Sequence, residues 1–378
     1  VDYLASMPPA ISDLTPRPGD ETFPFVTGRR PVVESVIAAS AAGQPGVTVR
    51  RGVRATAFLT GASARPGMPH IAGVRTSTGE ELSADLVVDA MGRRSPGASL
   101  LTALGCRKPE GDAVESGFVY YTQYFTGPDR PPKRGAALCP IGTITLLTLD
   151  GDNDTWSITL YSSNRDPAVR ALRDPGCFAR VVAACPPYAH WLEGTPITGV
   201  LPMAGILDCY HRFVVDGEPV ATGYAALGDA WACTNPSAGR GLSMGAIHAQ
   251  LLRRTVAAHL DDPLAFALAW DEGTEREVAP FYWNQIHADR ARIAEMEALR
   301  RGEEPVRPES FMDHLAIAAG WDADAFRALL EVVLCLAQPQ ELADRPALKD
   351  IVERWGYQPP PPPPGPDRAQ LLALLSGH

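Results

Sequence analysis

Gly228-Asp229-Ala230-Trp231-Ala232-Cys233-Thr234-Asn235-Pro236-Ser237-Ala238-Gly239-Arg240-Gly241-Leu242-Ser243-Met244-Gly245 is the stretch that decides how this chain is read. It follows the apolar run Ala221–Leu227, which reads as a buried strand. The strand ends in Gly-Asp, a loop follows, and a helix opens among small residues. An Asp at the carboxyl end of a strand lies where open α/β sheets bind ligands. Its oxygens can accept hydrogen bonds from sugar or polyol hydroxyls. Gly239, Gly241 and Gly245 carry no side chain, so the backbone can approach a ligand closely. The amides of a helix start suit an anion or an electron-rich ring edge.

Upstream, Asp85-Leu86-Val87-Val88-Asp89-Ala90-Met91-Gly92-Arg93-Arg94-Ser95 has a related shape. Its apolar run is short and bounded by Asp85 and Gly92, which predicts a strand buried on both faces. Pro31 follows Arg29 and Arg30, and Val32, Val33, Val36 and Ile37 repeat at helical spacing, predicting a helix that ends near Gly43. Short strands are expected at 47–50, 53–59 and 70–76. In the middle of the chain, Thr155-Trp156-Ser157-Ile158-Thr159-Leu160 alternates strictly. That pattern predicts an antiparallel strand that is half-exposed, or one whose polar face lines a cavity. Beyond Ala238 the pattern is helical almost to the end, interrupted by the stiff connector Pro359–Pro364.

Composition narrows the function classes. The 378 residues are 45% hydrophobic and carry a net charge of -10, enough for a core and wrong for a phosphate-backbone partner. The seven cysteines have no C-x-x-C spacing, and the histidines lack metal-ligand spacing. The expectation is therefore no metal site and free thiols in a reducing cytoplasm. No run of about 18 apolar residues predicts a membrane span.

Gly228, Asp229, Ala230, Pro236, Gly239 and Gly241 together resemble the G-D-A-(x)n-P-x-x-G-x-G motif of flavoprotein monooxygenases of the p-hydroxybenzoate hydroxylase superfamily. The form G-D-A-W-A-C-T-N-P-S-x-G-R-G is similar to an actinobacterial branch of FAD oxidoreductases. The resemblance implies that Asp229 binds the ribityl chain of FAD and that the loop and helix start, Leu242 included, pack on the ring. Where the family often has His after the Asp, this chain has Trp231-Ala232-Cys233, so Trp231 and Cys233 become candidates for approach to the flavin. Asp85–Ser95 resembles the family's second FAD motif, with Met91 where the family has Asp. Arg30, opening a helix, matches the position that reaches the pyrophosphate, a role that suits its planar fork. The segment ending in Val53 resembles the strand that passes near the adenine.

The resemblance implies a NADPH- or NADH-using monooxygenase in which reduced FAD takes up oxygen at C4a and passes it to an apolar or aromatic small molecule. Tyr120, Tyr124, Trp156 and Ile158 are the candidate substrate walls, with the cavity expected between the flavin and the strand-rich middle segment. No acid or base is named. The expected fold class is α/β, or α+β. An incomplete FAD-binding Rossmann-like domain (1–105, 216–260) is interleaved with an antiparallel β substrate domain (106–215). A helical region (261–378) follows, covering the substrate domain or making a homodimer contact. The family's opening strand, G-x-G-x-x-G and helix are not found in this sequence, which begins Val1-Asp2. The expectation is that the first βαβ unit, and with it the adenine half of the site, lies outside this sequence.

Other readings carry different signatures. Gly241-Leu242-Ser243-Met244-Gly245 matches G-x-S-x-G, with Asp271 and His287 following in serine-hydrolase order. That elbow must follow a strand directly, and Pro236–Arg240 is turn-like. A halogenase would show W-x-W-x-I-P, which Trp156-Ser157-Ile158-Thr159 does not match. A flavin-dependent reductase like the geranylgeranyl reductases, and a non-catalytic flavin-fold protein, remain open.

Overall fold

A computed structural model describes residues 2–306, 309–359 and 361–377. The first 28 residues are irregular apart from two single 3-10 turns, as their Pro and Asp content predicts. α1 (Arg30–Ala42) opens with Pro31 in its first turn, where a missing N–H costs nothing. The strand expected at 47–50 is instead coil, held between turns at Gly46 and Gly52 with Val47 and Val49 exposed. Then follow β1 (Ala55–Arg65), β2 (Met68–Thr76), β3 (Glu81–Ser83), β4 (Val87–Asp89), α2 (Gly97–Ala103) and β5 (Glu110–Glu115). The middle of the chain forms β6 (Phe118–Thr126), β7 (Leu138–Ile141), β8 (Ile144–Asp150), β9 (Thr155–Ser163), α3 (Pro175–Ala183), β10 (Thr195–Pro196) and β11 (Leu201–Met203). Next come β12 (Leu207–Arg212), β13 (Val214–Val215), β14 (Glu218–Pro219), β15 (Tyr224–Ala226) and β16 (Ala232–Cys233). Helices complete the chain: α4 (Gly241–His259), α5 (Pro263–Glu277), α6 (Ala279–Arg301), α7 (Phe311–Ala318), α8 (Ala323–Val333), α9 (Pro339–Ala343), α10 (Pro346–Trp355) and α11 (Arg368–Ser376). Of the proline connector, Pro360 lies outside the described residues.

The chain is interleaved, as expected, but its compact units have other limits. One contains residues 1–47, 117–206 and 287–378, the other 48–116 and 207–286. The helical region after residue 260 is thus shared between them, and α1 belongs with the antiparallel sheet.

That sheet has the order β10-β6-β9-β8-β7, with β11 also beside β6. β9 is its central strand, and every residue of it is buried. The half-exposed strand of the sequence expectation is therefore corrected. Trp156, Ile158 and Leu160 do share a face, with Tyr121 and Phe125 opposite them. They pack with Phe178, Val181 and Val182 of α3 and Leu371 and Leu375 of α11. The other face is not open at its β11 end, where Phe118, Tyr120 and Tyr161 pack with Ile293 and Met296 of α6. Polar residues on this same face pair across strands, Thr122 with Thr159 at 2.8 Å. A third cluster in this unit joins α7, α8 and α10 to Ile11 and Phe23 of the irregular N-terminal segment. Arg327 of α8 ties it to Asp20 with two hydrogen bonds, at 2.7 and 2.9 Å.

The other unit contains an antiparallel meander β1-β2-β3, a small antiparallel sheet β16-β12-β5 and the parallel pair β4-β15. Beside β15, Ile71 N–H donates to Thr222 O at 2.8 Å and Thr222 N–H to Pro69 O at 3.0 Å, so β2 extends the parallel arrangement. β4 forms as expected but is not buried on both faces: Val88 is 40% exposed.

Candidate functional site

β4 and β15 pair in register, Tyr224 opposite Val87, Ala225 opposite Val88 and Ala226 opposite Asp89. Leu227 N–H then donates to Asp89 O at 2.9 Å. Two motifs far apart in sequence therefore leave the sheet side by side, at the carboxyl ends of parallel strands, where α/β folds open a ligand crevice. Each strand is followed by a single 3-10 turn, Gly92–Arg94 and Gly228–Ala230, and these turns adjoin. Gly92 and Gly228 open them with φ of 77° and 59°, in the left-handed region that disfavours a side chain.

Asp89 is the buried hub of this arrangement. It accepts Met91 N–H at 3.0 Å, Tyr224 O–H at 2.8 Å and the Ser95 hydroxyl. Ser95 Oγ in turn accepts Gly97 N–H at 2.9 Å. Burial, with the Asp89 carboxylate beside it, pushes the Tyr224 phenol far up, so it stays a donor. Asp89 and Tyr224 were not singled out from sequence. The available signal was an acid closing an apolar run.

The loop from Thr234 to Arg240 is braced from inside. Asp208 accepts Asn235 N–H and the Asn235 side chain accepts Ser237 N–H, both at 2.8 Å. Buried Arg240 donates to Gln285 Oε1 at 2.6 Å, and Gln285 donates to Ser237 Oγ at 3.0 Å. These partners keep Pro236, Gly239, Gly241 and Leu242 on the outside, Leu242 being 61% exposed. A Cβ added at Gly239, Gly241 or Gly245 would meet nothing within 4 Å. No side chain caps the start of α4, so its first amides are donors available to a ligand.

Asp229 stands exposed on its turn. The two neighbours named as candidates for approach to the flavin are both buried. Trp231 is buried edge-on to His248 and Tyr210, at centroid distances of 5.2 and 5.7 Å. The 3-10 turn after Gly228 rotates it into the core. Cys233 is buried in β16 opposite Cys209, and burial, then the nearby Asp229 charge, pushes its thiol up to about 12. A thiol held that high is a poor nucleophile.

His248, also unanticipated, is fully buried on α4. Its Nδ1 receives Gly228 N–H at 3.1 Å and its Nε2 meets Thr274 Oγ1 at 3.1 Å. Burial pushes its pKa down to about 4. The folded value lies below the unfolded one of about 6.5. Its contribution to stability is therefore complete above about pH 6.5 and is lost as pH falls toward 4, where the unfolded chain binds the extra proton. A replacement that cannot titrate should flatten the acid limb of a denaturation-midpoint-versus-pH curve between these values; an unchanged limb would assign it to other groups.

The remaining expected residues are dispersed. Val53 is half-buried in coil before β1. Arg30 is exposed on α1 and pairs with Glu34 at 2.5 Å. Its neighbour Arg29 makes the firmer contact, two guanidinium bonds to Asp152 at 2.8 and 3.0 Å, which hold that carboxyl well below its usual range. Trp156 and Ile158 are core residues rather than cavity walls. Tyr120 is buried on the opposite face, and Tyr124, half-buried, shares that face with Thr122 and exposed Leu201. Ser243 lies in the first turn of α4 after a loop, not at a strand-to-helix elbow. Asp271 pairs with Arg212 at 2.9 Å and His287 with Asp313 at 3.0 Å. The hydrolase arrangement is not formed.

The exposed Asp229, the glycines with open space before them and the uncapped amides of α4 fit the ribityl and ring half of FAD. Among the described residues, no helix is long and apolar enough to cross a membrane.

No family model matches the sequence. Protein Rv3254 of Mycobacterium tuberculosis (strain ATCC 25618 / H37Rv) is 30% identical over 191 residues, covering 47% of this chain and 38% of that protein. The match thus spans well under half of the curated relative's length. Among solved structures, p-nitrophenol 4-monooxygenase PnpA from Pseudomonas putida DLL-E4 superposes with a TM-score of 0.53 and 16% identity, over 82% of this chain and 74% of that one. PqsL, a probable FAD-dependent monooxygenase from Pseudomonas aeruginosa, gives 0.52 and 16%, over 70% and 72%. Klebsiella pneumoniae HpxO, complexed with FAD and uric acid, gives 0.50 and 13%, over 76% and 67%. The fold of this chain, with its parallel β4-β15 pair and separate antiparallel sheet, is that of the FAD-dependent monooxygenases.

Proposed function

We propose that this chain belongs to an FAD-dependent oxidoreductase of the monooxygenase type, acting on an apolar or aromatic small molecule with NADPH or NADH as reductant. The observation that carries the reading is the emergence of Asp229 and the Asp89–Ser95 turn from adjacent parallel strands. FAD, when bound, supplies the electron transfer and oxygen chemistry. The chain's own residues bind and orient. Asp229 would accept hydrogen bonds from ribityl hydroxyls. The backbone of Gly239 and Gly241 and the side chain of Leu242 would face the ring, and the α4 amides would stabilise charge at its edge. Arg30 remains the candidate for the pyrophosphate and Val53 for the adenine surroundings. Tyr124 is the substrate-wall candidate best placed on the sheet, because it is only half-buried and neighbours polar Thr122 and exposed Leu201.

Asp229→Ala in the natural full-length protein is expected to weaken FAD binding at least tenfold, since it removes a charged acceptor worth about 1.5–3 kcal/mol. Fluorescence titration of the apoprotein with FAD measures it. Flavin affinity equal to the parent's would remove the support for the Gly-Asp reading. NADPH consumption under oxygen, with product analysis for an incorporated oxygen atom, separates a monooxygenase from a reductase.

A further inference from the structure

The Gly228 amide lies where β15 has ended and the exposed Gly-Asp turn begins. It has a single acceptor, Nδ1 of His248, at 3.1 Å. A backbone N–H can only donate, so Nδ1 must keep its lone pair and the proton must sit on Nε2. Nε2–H then donates to Thr274 Oγ1 on α5 at 3.1 Å. The ring lies flat on Trp270, with centroids 4.3 Å apart and planes within 3°, and Trp231 meets it edge-on at 5.2 Å. The Gly228 amide, which can only donate, sets the tautomer, and the two indoles fix the ring's position and orientation.

One helix also serves two edges of the site. α4 opens at Gly241, beside the exposed loop, and two turns later anchors the Gly-Asp turn through His248. Glycine reaches the left-handed φ of 59° at Gly228 without steric cost but adopts negative φ as readily. In this conformation the Gly228 amide meets His248, and the next residue, Asp229, stands exposed.

We infer that His248 is a positioning residue: its neutral imidazole holds the Gly228–Asp229 turn in the shape that receives the flavin, without touching the flavin itself. This rests on the reading of the site as a flavin site, and it adds a residue that the resemblance to flavoprotein monooxygenases does not supply.

The test compares two substitutions in the full-length protein. His248→Phe keeps an aromatic plane on Trp270 but offers no acceptor. His248→Asn places Oδ1 near the former Nδ1 and restores one. His248→Phe is expected to raise the FAD dissociation constant about tenfold, the effect of leaving a part-buried N–H unsatisfied. It should also speed hydrogen–deuterium exchange at the Gly228 amide at least tenfold. His248→Asn should return both quantities to within about threefold of the parent. The inference is overturned if His248→Phe leaves Gly228 exchange and FAD affinity unchanged. It is equally overturned if both variants lose affinity alike while Gly228 stays protected, since that assigns the loss to packing. Should the parent protein bind no FAD, the functional reading fails, and the exchange arm alone still decides whether His248 holds the turn.

Discussion

Replacing Trp156 by alanine is expected to destabilise the antiparallel unit by about 4 kcal/mol, in the range for removing a buried tryptophan. The indole is 2% exposed and stacks parallel to Phe125 at 6.4 Å. Its Nε1–H donates to Trp191 O at 2.9 Å, so truncation leaves a buried carbonyl without a donor as well as a cavity. The fit is tight on the other side too: a Cβ on Gly194 would lie 2.2 Å from the ring, and one on Gly127 2.8 Å. Urea denaturation measures the loss. Tyr124→Ala is the contrast, because its side chain is half-buried on the opposite face; it should cost about 1 kcal/mol. If Trp156→Ala proved as mild as Tyr124→Ala, the indole would have to be a cavity wall after all.

The second large effect is expected at Gly97, which begins α2 directly against the Asp89 hub. A methyl group there would lie 2.2 Å from Asp89 Oδ2 and 2.5 Å from Tyr224 O–H. Neither partner has a free direction to retreat, because each is buried and hydrogen-bonded to the other at 2.8 Å. Gly97→Ala should therefore combine overpacking with a damaged bond to a buried carboxylate, for a loss of about 3 kcal/mol. Tyr224→Phe removes only one of the hydrogen bonds and should cost less, about 2 kcal/mol. The two losses should not add in the double variant, since both act on one network. Full additivity in denaturation midpoints would mean that the hub is not a unit. Loss of the hub should also loosen both turns, so FAD titration of Gly97→Ala is expected to show weaker binding alongside the lower stability.

Several readings held because they depend on local chemistry. Pro31 opens α1 at the expected place. The apolar run before Gly228 is a strand that ends in a turn only glycine adopts easily. The small residues from Gly239 to Gly245 open a helix. The misreadings share a different cause. The alternation of Thr155–Leu160 states correctly which residues share a face, but not what covers each face. Leu371 and Leu375 on one side belong to the far end of the chain, and the helix bearing Ile293 and Met296 covers part of the other. Trp231 and Cys233 are close to Asp229 in sequence, yet one 3-10 turn and the pairing of β16 with β12 turn them inward. His248 was one polar residue among many in a helical run, with no local feature to mark it.

The sequence by itself determined where strands end and helices begin around Gly228–Gly245, because the backbone freedom of glycine and the restriction of proline act within a few residues. It also determined the pairing of a Gly-Asp turn with an Asp85–Ser95 motif as a resemblance. Only the tertiary structure decided that these motifs share one edge, that Asp89 and Tyr224 lock them there, and that His248 holds the turn from behind. Those are contacts between residues remote in the chain. Their energy depends on burial and on hydrogen-bond partners that no local pattern specifies.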